Sequence, residues 1–80
     1  MAVLRLFAGA RDAAGTGRDD LPGTTVAEVL DGARERYGPE FRAVLDHCQI
    51  WCNGEPCELA HAVTDGDEVA VLPPVSGGAA

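Results

Sequence analysis

The sequence predicts a small α+β domain in which short strands lie on both sides of one main helix. Three observations indicate this class. A capped amphipathic helix occupies the middle of the 80-residue chain, β-rich segments flank it, and an Asn-Gly turn splits one of those segments into a hairpin. At this length a single modest core serves the whole chain, so we expect one domain over residues 1–74 with little room for an internal pocket.

The first strand is predicted over residues 3–8, which read V-L-R-L-F-A. Leu4 and Leu6 share one face with Ala8, and we expect the two leucines to face the core. The next stretch, GARDAAGTGRDD, is polar and broken by glycines, so it predicts a flexible connection. It lacks the lysine of a phosphate-binding loop and the third glycine of a dinucleotide-binding motif. A short returning strand is predicted over residues 20–22.

The main helix is predicted over residues 25–38. Thr25 and Glu28 form a capping box in T-V-A-E, and Gly38 before a proline ends the helix. Apolar residues then recur at helical spacing and predict one buried stripe. They are Val26, Val29, Leu30, Ala33 and Tyr37. A second helical turn over residues 40–45 would dock three more apolar residues onto the core, namely Phe41, Val44 and Leu45.

The sequence C-Q-I-W-C-N-G-E-P-C predicts a hairpin. Asn53-Gly54 is its turn, and the return strand is predicted over residues 57–59. Gln49 and Trp51 lie on the face opposite Cys48, Ile50 and Cys52. A tight turn at T-D-G-D-E leads into the last strand, residues 68–72. Two prolines end that strand because proline cannot donate to a sheet ladder.

Composition restricts the possible partners. The formal net charge is −7, with thirteen acidic residues and six arginines but no lysine. Nucleic acid and anionic membranes would repel such a chain, so a protein partner with a basic face is expected. The opening M-A-V-L-R-L-F-A is too short for a signal-peptide core or a membrane span, which predicts a cytoplasmic protein.

No catalytic or metal site is predicted from the titratable residues. Cys48 and Cys52 are four residues apart on a strand, about 13 Å, which is too far for a disulfide or a shared zinc ion. Cys52 and Cys57 flank the hairpin turn, so a bridge is geometrically possible, but we expect buried, inert thiols. No serine or carboxylate lies near His47 or His61 in the sequence at a spacing that would indicate a catalytic site. The carboxylates of G-R-D-D and T-D-G-D-E are expected to bond locally within turns.

The carboxyl-terminal sequence V-L-P-P-V-S-G-G-A-A predicts a functional tail over residues 75–80. Pro73 and Pro74 hold the chain extended as it leaves the last strand, which lowers the entropy lost when a partner takes up the tail. Val75 supplies an apolar anchor. Ser76, Gly77 and Gly78 then present almost no side-chain bulk, so a narrow channel can admit them. The extended reach from Val75 to Gly78 is roughly 13 Å.

These segments resemble the MoaD/ThiS family of ubiquitin-like sulfur carriers, and most of all the small subunit of molybdopterin synthase. The resemblance covers nearly the whole chain. It rests on VLRLFA, ARDAAGT, TVAEVLDGARERYG, CNGEP and above all VTDGDEVAVLPPVSGG. It implies a β-grasp fold, in which a mixed sheet curls around one main helix.

The resemblance also implies a mechanism and a set of partners. An E1-like adenylyltransferase, similar to MoeB or ThiF, would use ATP to adenylate the carboxylate of Gly78, and a persulfide would convert it to a thiocarboxylate. Val75, Ser76 and Gly77 would then thread a MoaE-like large synthase subunit or another sulfur-accepting synthase. Phe7, Leu72, Pro73 and Pro74 would form an apolar docking surface, although Leu72 could instead belong to the core. The carrier itself would bind no cofactor and catalyse nothing.

Ala79 and Ala80 depart from the family pattern, in which the second glycine is terminal. Gly78 then has no free carboxylate, so a peptidase trims the alanines, or they are a cloning remnant, or the protein is inactive in this form.

Three alternatives to the molybdopterin pathway stay open. They are a carrier for thiamine, cysteine or specialised-metabolite synthesis, a β-grasp interaction module without cargo, and a small cysteine enzyme.

Overall fold

The computed structural model describes residues 1–74, and the predicted tail, Val75 to Ala80, lies outside the described residues. Within residues 1–74, five strands and three helices follow one another. They are β1 (Ala2–Leu6), α1 (Ala8–Ala14), β2 (Arg18–Leu21), α2 (Val26–Tyr37), α3 (Pro39–Leu45), β3 (Gln49–Cys52), β4 (Glu55–Pro56) and β5 (Glu68–Leu72). None of the three helices combines the length and apolar character that crossing a membrane requires.

The strands form one mixed sheet in the order β2-β1-β5-β3-β4. β1 and β5, the first and last strands, run parallel at its centre, and the other three pairs are antiparallel. The mixed sheet around a main helix that the resemblance implied is therefore confirmed. β5 has a strand on both sides, because Leu4 pairs with Val69 on one edge and Ile50 pairs with Val71 on the other.

The core lies between the sheet and the helices. Leu4 and Leu6 are buried as predicted, and Val69 and Val71 lie beside them on β5 with no exposed surface. The α2 stripe and α3 cover these side chains. The buried helical residues are Val26, Val29, Leu30, Ala33, Phe41 and Leu45. Tyr37 and Val44 pack against the cluster only partly buried, and the ring of Tyr37 meets that of Phe41 edge-on at 5.3 Å between centroids.

The α2 cap differs in one detail from the predicted capping box. The Thr25 side chain accepts a hydrogen bond from the Glu28 amide at 3.2 Å, as expected. The Glu28 carboxylate, however, accepts from the amide and hydroxyl of Thr24 at 2.8 and 3.1 Å, and not from Thr25. These bonds lower the pKa of Glu28. The capping interactions of α2 thus include Thr24, the residue before the N-cap.

The prediction of a flexible connection after the first strand was wrong. Residues 8–14 form α1, because alanine is the best helix former and four of these seven residues are alanine. Gly15, with φ 79°, ends the helix and donates its N–H to the Arg11 carbonyl at 2.9 Å. Ala10 is fully buried, and α1 packs against α3. Ala8, grouped with the first strand by its spacing, is an exposed helical residue.

Two strand boundaries also shift. β2 begins at Arg18, so the acidic pair of G-R-D-D lies in a strand and not in a turn. The hairpin closes more tightly than predicted, because Asn53 (φ 51°) and Gly54 (φ 86°) form a two-residue turn with both residues left-handed. The return strand is therefore Glu55–Pro56 and ends before residues 57–59.

Candidate functional site: the open face and the end of β5

One face of the sheet is not covered by a helix. Side chains alternate along β1 and β5, so the residues between the buried ones point away from the core. We call this surface the open face. Its central residues, all half-buried, are Val3, Arg5, Trp51, Ala70 and Leu72. Arg5 lies beside Ala70 and Ala70 beside Trp51 in the strand pairing, which makes one row across three strands.

Leu72 belongs to the open face and not to the core. The alternation along β5 buries Val69 and Val71 and leaves Leu72 half-exposed, paired with Gln49 of β3. It is also absent from the apolar residues packed against the core cluster. The alternative that Leu72 is a core residue is therefore excluded by its position in the strand.

Phe7 lies at the same end of the sheet as Leu72. It follows β1 in extended conformation (φ −124°, ψ 151°), and its N–H donates to the Val71 carbonyl at 3.3 Å. The residue is 39% exposed, and the Arg5 guanidinium carbon lies 5.7 Å from the ring centroid, within cation–π range. Phe7 is thus an exposed aromatic side chain held beside the point where β5 ends.

The chain leaves the sheet at this point. Pro73 is half-buried and Pro74 is exposed, and the strand before them is paired on both edges up to Val71. The structure therefore brings four predicted docking residues to one end of the sheet, namely Phe7, Leu72, Pro73 and Pro74. The other predicted site residues, Val75, Ser76, Gly77 and Gly78, lie outside the described residues.

Trp51 and Ala70 were not among the predicted site residues. Trp51 is half-buried on the open face, and its Nε1 lies 3.4 Å from the Gln49 side-chain oxygen. The sequence held a usable signal, because alternation had already placed Trp51 on the face opposite Cys52. A large aromatic residue opposite the core face of a strand is a typical contact residue of interfaces.

Burial disfavours the reactive thiolate form of the three cysteines. All three are free, and burial raises the pKa of each thiol, with Asp67 contributing at Cys52 and Cys52 contributing at Cys57. A raised pKa disfavours the nucleophilic thiolate at neutral pH. Cys52 and Cys57 lie within side-chain hydrogen-bond range of one another, whereas Cys48 donates to the Val44 carbonyl at 3.1 Å. Within residues 1–74, no three His, Cys, Asp or Glu side chains are grouped as a metal site needs.

The remaining polar candidates have structural roles. Asp67 accepts from the Thr64 amide at 2.8 Å and from Asn53 Nδ2 at 3.1 Å, which lowers its pKa. The local role predicted for T-D-G-D-E is therefore confirmed for Asp67, whereas Asp65 bonds to the distant amino group of Met1. Asp19 instead links β2 to α2, because it accepts from Arg36 at 2.6 Å and from the Tyr37 hydroxyl. His47 and His61 are both exposed, and His47 follows the end of α3.

Comparison with known proteins gives a consistent result over nearly the full chain. The ThiS family matches residues 4–78. The chain is 39% identical to small archaeal modifier protein 1 of Haloferax volcanii, over 92% of this chain and 97% of that protein. It is 38% identical to the molybdopterin synthase sulfur carrier subunit of Aedes aegypti, over 94% and 86% respectively. The solution structure of small archaeal modifier protein 1 from Methanosarcina acetivorans superimposes with a TM-score of 0.86 at 32% identity, covering 96% of this chain and 95% of that one.

Proposed function

The chain belongs to the ThiS family of β-grasp sulfur carriers and ubiquitin-like modifiers, and from this premise we propose that it carries sulfur as a thiocarboxylate on Gly78 for molybdopterin synthesis. The observation that carries the proposal is the family match from residue 4 to residue 78. It covers residues 4–74 of the described domain and includes the Gly-Gly pair. The relative named as a molybdopterin synthase sulfur carrier subunit supports this pathway.

The proposed chemistry takes place on the Gly78 carboxylate. An oxygen of this carboxylate attacks the α-phosphate of ATP on an E1-like adenylyltransferase, and pyrophosphate leaves. The terminal sulfur of a persulfide then attacks the activated carbonyl, AMP leaves, and a thiol reduces the resulting acyl disulfide to the thiocarboxylate. Adenylation is needed because a free carboxylate is a poor acylating group. The partners supply every catalytic group, which fits thiols whose pKa values are raised in this chain.

The folded domain positions the tail in this proposal. The open face, together with Phe7, Pro73 and Pro74, docks on the adenylyltransferase and later on a MoaE-like synthase subunit. Val75, Ser76 and Gly77 then extend into the active site of either partner. An apolar surface at the base of the tail suits this role, because aromatic and aliphatic side chains dominate the centre of protein interfaces.

Ala79 and Ala80 follow Gly78 in this sequence, so the proposal includes a peptidase that removes them. The test compares the 80-residue chain with a variant ending at Gly78. Each is incubated with the adenylyltransferase of the same organism, ATP and a persulfide donor, and its intact mass is measured. We expect the shortened chain to exchange one oxygen for sulfur and the full chain to remain unchanged. The proposal is wrong if the shortened chain is never adenylated.

A second function shares the same activation step. The relative from Haloferax volcanii is named a modifier protein, so the activated Gly78 could instead be transferred to a lysine of another protein. This chain has no lysine of its own to accept it. Mass spectrometry of native cells distinguishes the two, since a modifier is found joined through Gly78 to lysines of other proteins, whereas a carrier accumulates as the thiocarboxylate. Retention of both alanines with neither product would instead indicate an interaction module without cargo.

A further inference from the structure

A concave groove beside Phe7 contains three of the six arginines of the chain. Arg5 on β1, Arg11 on α1 and Arg18 at the start of β2 line a volume of about 490 Å³ together with Phe7 and the loop residues Thr16 and Gly17. We call it the arginine groove. This local excess of positive charge is unexpected in a chain with a formal net charge of −7.

Local structure holds two of the arginines in place. Gly17 packs under the Arg11 stem, since a Cβ atom at this position would lie 3.2 Å from Arg11 Cδ. The Thr16 hydroxyl donates to the Arg18 carbonyl at 3.0 Å and accepts from the Arg18 amide at 3.4 Å. The groove therefore depends on the T-G-R sequence between α1 and β2 as well as on the arginines themselves.

Little internal negative charge neutralises the groove. Arg5 makes a long contact of 3.4 Å with Glu68, and both side chains are more than 40% exposed. Within residues 1–74, neither Arg11 nor Arg18 has a carboxylate oxygen within 4.0 Å. The neighbouring Asp19 is bonded to Arg36 and Tyr37 on the other face of β2. Guanidinium groups are thus available for an anionic ligand.

We propose that the arginine groove binds carboxylate side chains of the protein that docks on the open face. Phe7 lines the groove and also lies at the end of that face, so one partner can contact both. The planar guanidinium fork matches a carboxylate in bidentate geometry. A nucleic acid fits poorly, because it needs an extended basic track and would meet an acidic surface elsewhere.

The inference rests on the proposed function for the identity of the partner, and it adds a constraint to it. Net charge alone predicts a basic partner, whereas the groove predicts an acidic segment at one defined position. A partner surface with both signs would bind in a single orientation, because rotating it would bring like charges together. That orientation would aim the chain beyond Pro74 at the active site.

The test uses three charge reversals of equal size in the chain ending at Gly78. Arg11→Glu and Arg18→Glu change the groove, and Arg42→Glu is the control, since Arg42 is exposed and does not line it. Thermal unfolding first establishes that all three fold. Calorimetry then measures binding to the adenylyltransferase and to the large synthase subunit of the same organism at low and high salt.

We expect each groove variant to bind at least one partner about tenfold more weakly at low salt, with a smaller difference at high salt. The control should bind within about twofold of the unchanged chain. The proposal is overturned if Arg11→Glu and Arg18→Glu bind both partners as Arg42→Glu does. Thiocarboxylation of the chain that ends at Gly78 and carries no charge reversal is measured separately. Equal binding by the groove variants and the control would therefore not contradict the proposed function.

If the chain that ends at Gly78 and carries no charge reversal binds neither partner and is not adenylated, the proposed function fails and the groove is tested without it. A glutamate-rich peptide and inorganic phosphate are each titrated against the isotopically labelled chain, and amide shifts are followed by NMR. Saturable shifts at residues 11 and 16–18 with the peptide support a carboxylate site. Shifts with phosphate alone, or with neither probe, overturn it.

Discussion

Trp51 lies directly opposite Ala70 in the antiparallel pair of β3 and β5, on the face of the sheet that the helices leave uncovered. Because Ala70 is small, the indole ring of Trp51 is the largest apolar group on this face. We predict that Trp51→Thr weakens binding to the adenylyltransferase or the large synthase subunit at least tenfold, because buried tryptophans are typical interface hot spots.

Threonine suits a strand, so the Trp51→Thr variant should remain folded. Calorimetric titration measures the binding change, and Trp51→Phe is the matched control, which should retain most of the affinity. Equal binding by the threonine variant and the unchanged chain would show that partners do not use the open face.

The core gives a prediction about stability. Leu4 has no exposed surface and lies beside Val69 at the centre of the sheet. Leu4→Ala should lower the free energy of unfolding by about 2–5 kcal/mol, through lost burial and the cavity left behind. Urea unfolding followed by circular dichroism measures it. Leu59→Ala is the control, since Leu59 is 52% exposed and its truncation should cost less than about 0.5 kcal/mol. Equal losses would contradict the assigned core.

The bond between Tyr37 and Asp19 predicts a dependence on alkaline pH. Burial and the Asp19 carboxylate raise the pKa of Tyr37 from 10.0 to about 12. Between these values the folded protein holds a proton that the unfolded chain releases, so the free energy of unfolding falls as pH rises through this window. Tyr37→Phe removes that contribution, and its stability should fall less steeply.

Urea unfolding of both proteins at several pH values from 8 to 12 measures this difference. At pH 8 the phenylalanine variant should be less stable by about 1.5–3 kcal/mol, because one hydrogen bond to a charged group is lost. The gap should narrow above pH 10. Parallel curves for the two proteins would mean that the hydroxyl of Tyr37 does not bond to Asp19 in solution.

Alanine substitutions at two glycines separate the cost of backbone strain from the cost of steric overlap. Gly54 adopts φ 86° in the hairpin turn with open space around its Cα, whereas Gly23 adopts φ 153° and a Cβ atom there would lie 3.0 Å from the amide and side chain of Val29. Gly54→Ala should cost about 1–2 kcal/mol for the left-handed conformation alone. Gly23→Ala should cost more, because the helix backbone must also shift. Thermal unfolding of the two variants checks the order, and the reverse order would contradict this account.

Most of the fold could be predicted because its signals are local. The Thr25 cap, the α2 stripe and the Asn53-Gly54 turn each depend on neighbouring residues, and β5 has the bounds that its alternation and prolines predicted. Helix α1 was missed because its glycines and charges indicated a loop and outweighed the helix propensity of its four alanines. The burial of Ala10 and the packing of α1 against α3 depend on distant parts of the chain, so no local pattern predicts them.

The tail was predicted from its residues, and the docking surface only from the family pattern. The structure places the four predicted docking residues at one end of the sheet, and their docking role stays a prediction. The arginine groove was not predictable, because Arg5, Arg11 and Arg18 come from three elements and meet only when β2 pairs with β1. The sequence showed three separate arginines in an acidic chain.

The parallel pairing of β1 and β5 has a mechanical consequence. A force that pulls residue 74 away from residue 2 acts along both strands, so it shears their hydrogen bonds together and does not unzip them one at a time. Four residue pairs, from Val3 with Glu68 to Leu6 with Val71, share that load, and β3 holds the other edge of β5. Tension applied to the carboxyl-terminal segment by a bound enzyme would therefore not readily detach the last strand from the sheet.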